Sequence, residues 1–208
     1  MIAIIDYGLG NLGSIANMLR TIGEKSVITS KAEVIRQADK LILPGVGAFD
    51  AGMSELEKRG LVPVVKKEAA SGKPILGICL GMQLLGRGSE EGEKAGMNLI
   101  PFDNIRFRFD EIKEDMRKQL KIPHMGWDIV EFKQKNPLLN GIVGMQRYYF
   151  VHSYHAVCDR EENVLMTCDY GYQFAAAVCK ENIYGVQFHP EKSHDFGMKL
   201  FENFVRRC

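Results

Sequence analysis

The sequence has no long hydrophobic run and no surplus of charge of either sign. Its 27 basic and 26 acidic residues leave a formal net charge of +1, so bulk electrostatics gives it little attraction for a phosphate backbone or an anionic membrane, and nucleic acid is not an expected partner. No apolar stretch approaches the roughly 20 residues that cross a bilayer, and Asp6 follows the start too closely for a signal peptide. These absences predict a cytoplasmic protein without a membrane segment.

Paired cysteines are also missing. The five cysteines are scattered and form no CxxC pair, so the sequence predicts neither a disulfide framework nor a zinc site, and no metal is expected. Most of them are expected to pack as small hydrophobic residues. The one placed for chemistry is Cys79.

The composition that is present is that of an ordinary globular protein. With 208 residues, 46% of them hydrophobic, the chain is long enough to bury one substantial core, and residues 1–208 are expected to form a single domain. No internal repeat, linker or break in composition indicates a second domain.

Short apolar runs alternate with helical patterns in the first half of the chain. Strands are predicted at 2–5, 27–29, 41–43 and 75–78, with helices at 12–22 and 61–70. The second half is rich in aromatic and β-branched residues and predicts strands at 104–109, 148–152, 174–178 and 183–188, some of them antiparallel, before a last amphipathic helix at 195–206. Residues 110–121 fit either a surface helix or a loop. The predicted fold class is α/β, with a doubly wound, mixed and mainly parallel sheet covered by helices on both faces.

A glycine cluster follows the first strand. Gly8, Gly10 and Gly13 match the GxGxxG pattern of dinucleotide-binding folds. That fold also needs an acidic residue at the end of the second strand, and here Thr29-Ser30-Lys31 occupies the position. A tight turn that needs glycine dihedral angles is therefore the favoured interpretation.

A second glycine pair flanks Cys79. Gly77-Ile78-Cys79-Leu80-Gly81 is the cysteine counterpart of the G-x-S-x-G nucleophile elbow, in which glycines remove side chains that would collide across a sharp strand-to-helix turn. The amides at the start of the following helix would favour a thiolate. The alternative is a buried strand cysteine beside packing glycines.

A general base for that thiol is available near the end of the chain. His189-Pro190-Glu191 follows a strand, and residues two apart on an extended segment face the same side, so Glu191 could orient the imidazole of His189. A structural histidine before proline is the alternative, but the elbow upstream favours catalysis.

The oxyanion of a tetrahedral intermediate needs two amide donors. One is expected from Leu80, the residue after the nucleophile, and the second from Pro44-Gly45-Val46-Gly47, which closes the third strand. A simple turn after a strand is the alternative for that loop.

These motifs resemble those of the class I (triad) glutamine amidotransferases, whose fold is flavodoxin-like. Within that class, further segments resemble the glutaminase subunits of imidazole glycerol phosphate synthase. The segments are Asp6–Leu12, Pro44–Phe49, Pro123–Trp127, Tyr149–Tyr154 and Gly185–Ser193. They span nearly the whole chain in the order of that family.

The resemblance implies an activity and its site residues. It implies hydrolysis of L-glutamine to glutamate and ammonia by a triad of Cys79, His189 and Glu191 without any cofactor. It implies an oxyanion hole at Gly45, Val46 and Leu80, completed when the Gly45–Val46 peptide reorients, and glutamine binding by Gly47 and Gln83.

The same resemblance implies a partner. Ammonia would pass to a barrel-shaped cyclase subunit, which uses it in histidine biosynthesis and stimulates the glutaminase when its nucleotide-sugar substrate binds. Trp127, Asp128, Tyr149 and Lys192 would lie near the interface and the ammonia passage.

Two features depart from the family pattern. Asp128 stands where the family usually has asparagine, and residues 110–121 follow no family pattern. Both leave open a paralogue that supplies ammonia to a different synthase, for example one that amidates a surface sugar. The sequence also leaves room for a catalytically silent docking scaffold or a nucleotide-binding module.

Overall fold

One mixed β-sheet of 12 strands organises the molecule. The computed structural model describes all 208 residues. The strands are β1 (Ile2–Ile5), β2 (Ser26–Thr29), β3 (Lys40–Leu43), β4 (Ile75–Ile78), β5 (Gly88–Ser89), β6 (Phe102–Arg106), β7 (His124–Phe132), β8 (Gln146–His152), β9 (Tyr154–Cys158), β10 (Val164–Asp169), β11 (Gln173–Lys180) and β12 (Ile183–Val186). The helices are α1 (Leu12–Thr21), α2 (Ala32–Gln37), α3 (Phe49–Lys58), α4 (Leu61–Ala70), α5 (Leu80–Gln83), α6 (Glu114–Arg117) and α7 (His194–Arg207). Short 3-10 turns occupy Pro137–Leu139, Glu161–Asn163 and Pro190–Lys192.

The sheet has a parallel and an antiparallel half. Along its main path the order is β2-β1-β3-β4-β12-β11-β10-β7-β8, and the first five strands run parallel. The remaining four continue in antiparallel pairs, while β5, β6 and β9 branch from β11. The parallel strands β1 and β4 are apolar and buried throughout, as expected for strands covered on both faces.

Helices cover both faces of the parallel half. Residues of α1 and α7, such as Leu19 and Phe201, pack with Ile4 on one face. Residues of α2, α3, α4 and α5 pack on the other face against side chains such as Ile5 and Leu43. The predicted α/β fold with a mixed, doubly wound sheet is confirmed.

Residues 110–121, for which the sequence left two possibilities, combine a turn of helix with loops. Only 114–117 are helical. Ile112 and Leu120 pack against the core from either side of that turn, whereas Met116 is exposed. The segment is thus anchored at both ends and exposed in the middle.

The turn after β1 uses its glycines for backbone geometry. Gly8 and Gly10 have φ angles of +91° and +134°, which only glycine adopts readily. A Cβ on Gly10 would lie 3.1 Å from Pro44 Cβ. This supports the interpretation of the cluster as a tight turn that lets the loop after β3 approach.

None of the helices combines the length and the apolar character needed to cross a bilayer.

Candidate active site

Cys79 lies at the sharp turn between β4 and α5. Its φ of 54° and ψ of −113° are sparsely populated for a residue with a Cβ, and such strain is typical of functional sites. A Cβ on Gly77 would lie 2.8 Å from Gly81 O, and one on Gly81 would lie 1.8 Å from Leu43 O. Both positions therefore require glycine, because a side chain would collide with main-chain atoms. The elbow geometry expected from the sequence is present.

His189 reaches the same edge of the sheet from the neighbouring strand. β12 pairs in parallel with β4, Ile78 opposite Val186, and Cys79 N donates to Val186 O at 2.8 Å. Both side chains therefore follow the carboxyl ends of adjacent parallel strands, where open α/β sheets place their ligand sites.

Glu191 holds the imidazole. His189 Nδ1 lies 2.8 Å from Glu191 Oε1, and both side chains are 1% exposed. The expected local geometry was wrong, because Pro190–Lys192 is a 3-10 turn and not an extended segment. Proline at the first position of this turn suits its fixed φ, and the turn brings the carboxylate back to Nδ1. Because Glu191 occupies Nδ1, Nε2 is the ring nitrogen of His189 that is left to face the Cys79 thiol.

The pKa of His189 is shifted by the two acidic groups beside it, Cys79 and Glu191. Burial alone would lower its pKa, but Cys79 and then Glu191 outweigh burial and raise the pKa to about 9. His189 Nε2 is buried and has no hydrogen-bond partner of good geometry, although Cys79 is near enough to shift its pKa. Catalytic contacts of this kind commonly tighten when substrate binds. Below a pH of about 9 His189 carries a proton that it can donate.

The loop after β3 packs against the elbow. A Cβ on Gly45 would lie 2.7 Å from Gly81 N and 2.8 Å from Leu80 Cβ, so the loop touches the residues that follow Cys79. Leu80 is the first residue of α5, a position whose amide has no partner within the helix. Val46, 40% exposed, and Gly47 line the cleft beside Cys79.

Tyr7 holds this loop through a hydrogen bond. Its hydroxyl donates to Pro44 O at 2.6 Å. Burial and then the nearby Cys79 raise the pKa of Tyr7, so the phenol stays neutral and keeps its proton for Pro44. The carbonyl that precedes the expected oxyanion donors is thereby fixed.

A cleft of about 450 Å³ opens beside Cys79 and His189. Gln83 forms part of its wall, and its Nε2 donates to Tyr154 O and to Gln187 Oε1, each at 3.1 Å. Glu91 is the one acidic residue among the lining side chains. The cleft thus offers a carboxylate for an ammonium group.

Sequence reasoning missed Glu91 in this cleft and Gln187 behind its wall. Glu91, which also accepts from Phe49 N at 2.8 Å, lies in a turn without a motif. Gln187 is fully buried, and its Nε2 is 3.8 Å from Cys79 Sγ. Gln187 could have been suspected because it stands two residues before His189, whereas no signal marked Glu91.

The residues expected at the partner interface fall into two groups. Trp127 and Tyr149 pack together, with Lys192 over the Tyr149 ring at 5.6 Å and His194 stacked on Trp127. Asp128 follows Trp127 on β7 and faces the other side of the strand, where its Oδ2 lies 2.7 Å from His124 Nε2. The structure therefore brings Trp127, Tyr149 and Lys192 together and places Asp128 apart from them.

No group of three or more metal-ligating side chains is assembled in this or any other part of the molecule. The arrangement provides a thiol, an oriented imidazole and backbone amides in one cleft. Those groups suffice for nucleophilic acyl transfer.

Comparison with known proteins identifies the family. The model of the class-I glutamine amidotransferase family matches residues 3–208. The chain belongs to this family. Curated relatives of this amidotransferase include two named "Imidazole glycerol phosphate synthase subunit HisH 2". One, from Methanococcus maripaludis, is 51% identical and aligned over 100% of both chains. The other, from Pseudomonas aeruginosa, is 50% identical over 99% of this chain and 98% of its own.

A solved structure described as a glutamine amidotransferase superposes with a TM-score of 0.75, covering 99% of this amidotransferase and 97% of that chain at 18% identity. At that identity the likeness supports the fold alone. The resemblance to triad amidotransferases predicted from the sequence is confirmed.

Proposed function

We propose that this amidotransferase is the glutaminase subunit of imidazole glycerol phosphate synthase. The observation that carries the proposal is the full-length identity of 51% and 50% to two subunits of that name. We further propose that residues 1–208 act as a single domain and that Cys79, His189 and Glu191 form its triad. The buried Nδ1 to Oε1 contact of 2.8 Å supports the triad.

The reaction begins at the sulfur. Cys79 Sγ, whose proton His189 holds, attacks the side-chain carboxamide carbon of glutamine as a thiolate, and the carbonyl oxygen becomes an oxyanion. Collapse breaks the C–N bond, and His189 returns the proton to the leaving nitrogen, which departs as ammonia. Water, deprotonated by His189, then attacks the thioester and releases glutamate with regeneration of the thiol. No cofactor takes part in these steps.

Backbone amides stabilise the two oxyanions. Leu80 N supplies one donor and Val46 N the second after the Gly45–Val46 peptide turns toward the cleft. Gly45 has no Cβ to obstruct this rotation, and Gly47 with its φ of +99° provides a hinge on the other side. Gly47, Gln83 and Glu91 bind the substrate, with Glu91 as the partner of its α-ammonium group.

The cyclase docks on an exposed apolar strip of β7 and the loop before β8. We define this strip as Met125, Trp127, Ile129, Val143 and Met145, which are between 37% and 82% exposed. Exposed apolar side chains grouped on one strand and a nearby loop are typical of protein interfaces. The pair of Tyr149 and Lys192 lies beside it and would border the passage for ammonia.

A glutaminase assay with the partner tests this proposal. Glutamate release is measured for the chain alone, with a candidate cyclase subunit, and with that cyclase plus its nucleotide ligand. We expect the ligand to stimulate glutamate release and C79S to abolish it in every mixture. Absence of stimulation by the cyclase and its ligand would contradict the histidine-pathway assignment.

A paralogous glutaminase that supplies another synthase is the second candidate. It is favoured by Asp128, which replaces the asparagine that is usual in the family that the sequence resembles. Stimulation by a different synthase, for example one that amidates a surface sugar, with no response to the cyclase would select it.

A further inference from the structure

A line of buried hydrogen bonds runs from Asp128 to the wall of the glutamine cleft. Asp128 Oδ2 lies 2.7 Å from His124 Nε2, His124 Nδ1 lies 3.0 Å from His152 Nε2, and His152 Nδ1 lies 2.8 Å from Tyr154 O. His124 and His152 are 1% and 6% exposed, whereas the Asp128 side chain is 40% exposed. We call these residues the histidine chain.

Counting protons fixes the charge of the histidine chain. Its three contacts need three hydrogens, and both ends, a carboxylate oxygen and a peptide carbonyl, can only accept. Two neutral imidazoles carry two ring protons. One more proton is therefore required for every contact to be a hydrogen bond, and a carboxylate at the outer end supplies the countercharge.

The extra proton belongs on the ring next to the acid. Burial is the main cause that lowers the pKa of His152 well below its ordinary value, and the neighbouring His124 lowers it further. His152 is then neutral, with its proton on Nδ1 toward Tyr154 O, and its Nε2 accepts from His124. His124 donates from both ring nitrogens.

We propose that Asp128 holds His124 as a buried imidazolium and thereby acts as a positioning residue for the glutamine cleft. The deciding geometry is the unbroken sequence of three contacts between two acceptor ends. Asparagine at 128 would allow a neutral alternative, because its amide could donate to an unprotonated Nε2 of His124. The carboxylate at this position therefore sets the charge of the chain.

The inner end of the histidine chain meets the substrate site. Tyr154 O, which accepts from His152, also accepts from Gln83 Nε2 at 3.1 Å. Gln83 in turn donates to Gln187, whose Nε2 is 3.8 Å from Cys79 Sγ. Fixing His152 therefore fixes a carbonyl on which the cleft wall and the surroundings of the nucleophile depend.

The other groups around His124 do not supply a second countercharge. Tyr170 stacks on its ring with centroids 4.0 Å apart. His155, the next titratable group, contacts Phe107, and burial lowers its pKa to about 4, so it is neutral. Burial and the charge of Asp128 raise the pKa of Cys168 on the adjacent strand, which keeps that thiol protonated. Asp128 is the acid that contacts the ring.

Nitrogen NMR of the histidine rings tests the charge directly. In the full chain labelled with 15N-histidine at pH 7.5, we expect both ring nitrogens of His124 to carry protons, with the signal assigned by its loss in H124Q. In D128N we expect one unprotonated nitrogen, and D128E should restore the imidazolium. E131Q removes an exposed carboxylate from the same strand and should leave His124 unchanged. A neutral His124 in the wild type, or an imidazolium that persists in D128N, would overturn the proposal.

Kinetics test the positioning role, which rests on the proposed glutaminase function. D128N should raise KM for glutamine about tenfold, the loss expected for one charge-assisted hydrogen bond, with a smaller change in kcat. D128E should recover most of that loss and E131Q should match the wild type. An unchanged KM in D128N contradicts the positioning role. A wild type without glutaminase activity would instead refute the proposed function, and the NMR result would still decide the charge.

Discussion

At the residue scale, the site depends on one imidazole between a thiol and a carboxylate. His189 is buried, which disfavours its charged form, yet Cys79 and Glu191 raise its pKa to about 9. An imidazolium below that pH can give its proton to the departing ammonia. The same contacts stabilise the fold only while His189 is charged.

The pH dependence of the wild type and E191Q follows from this raised pKa. kcat/KM should fall as the pH rises through about 9, because deprotonated His189 cannot act as the acid. In E191Q the fall should occur at lower pH, since one of the interactions that raise the pKa is gone. The two profiles of glutamate release against pH provide the measurement. An alkaline limb that does not move in E191Q would contradict the role of Glu191.

The same shift predicts how stability changes with pH. A group whose pKa is raised on folding stabilises the native state fully below its unfolded pKa, about 6.5 for histidine. That contribution should disappear as the pH rises through about 9. Urea unfolding of wild type and H189Q at pH 6 and pH 10 should show a difference in stability between the proteins that is larger at pH 6. An equal difference at both values would argue against a charged His189.

The sequence predicted the three residues of the proposed triad but not the residues packed around them. Cys79 lies between glycines, and His189 and Glu191 lie two residues apart, so local patterns pointed to them. Glu91 and His152 come from segments whose spatial neighbours are set by long-range pairing, such as His124 opposite His152 in β7 and β8. One sequence without its fold holds no signal for such pairs.

At the element scale, the elbow depends on two close approaches of backbone. Cys79, with its positive φ, joins β4 directly to α5. Gly77 faces Gly81 O across this turn, and Gly81 faces Leu43 O at the end of β3. The sequence predicted this element because glycine spacing is a local signal. It did not predict α3 (Phe49–Lys58). It left 110–121 undecided, because two separate side chains anchor that segment and no helical repeat of apolar residues marks it.

A pair of glycine-to-alanine variants tests the elbow. Gly81→Ala should lower the free energy of unfolding by about 3 kcal/mol or more, because overpacking against immovable backbone is costly and its Cβ would lie 1.8 Å from Leu43 O. Gly13→Ala in α1 meets nothing within 4 Å and should stabilise the fold by about 0.5 kcal/mol. Urea unfolding of both variants checks the contrast. Equal stabilities would show that the turn can relax.

At the scale of the whole molecule, the two halves of the sheet carry different parts of the proposed function. The parallel half places Cys79 and His189 at the ends of adjacent strands, and the antiparallel half carries the exposed strip. The α/β class and the helices on both faces could be predicted from alternating patterns. The branch formed by β5, β6 and β9 could not, because pairings such as β6 with β9 join distant parts of the chain.

The exposed strip predicts where the partner binds. Trp127→Ala should weaken binding of the synthase partner about 30-fold, corresponding to about 2 kcal/mol for an aromatic anchor at an interface. Met116→Ala, at an exposed apolar residue outside the strip, serves as the control and should bind as the wild type does. Titration calorimetry of each variant with the partner provides the measurement. Unchanged affinity for Trp127→Ala would place the interface elsewhere.

Covalent trapping tests the central claim that Cys79 is the nucleophile. The chain is treated with a diazoketone analogue of glutamine, with and without partner, and digested for mass spectrometry. The account predicts a single adduct on Cys79, lost in C79S, while Cys158 and Cys168, whose pKa values burial raises, remain unmodified. An adduct on another residue, or an intact Cys79 under conditions that support glutamine turnover, would contradict the account.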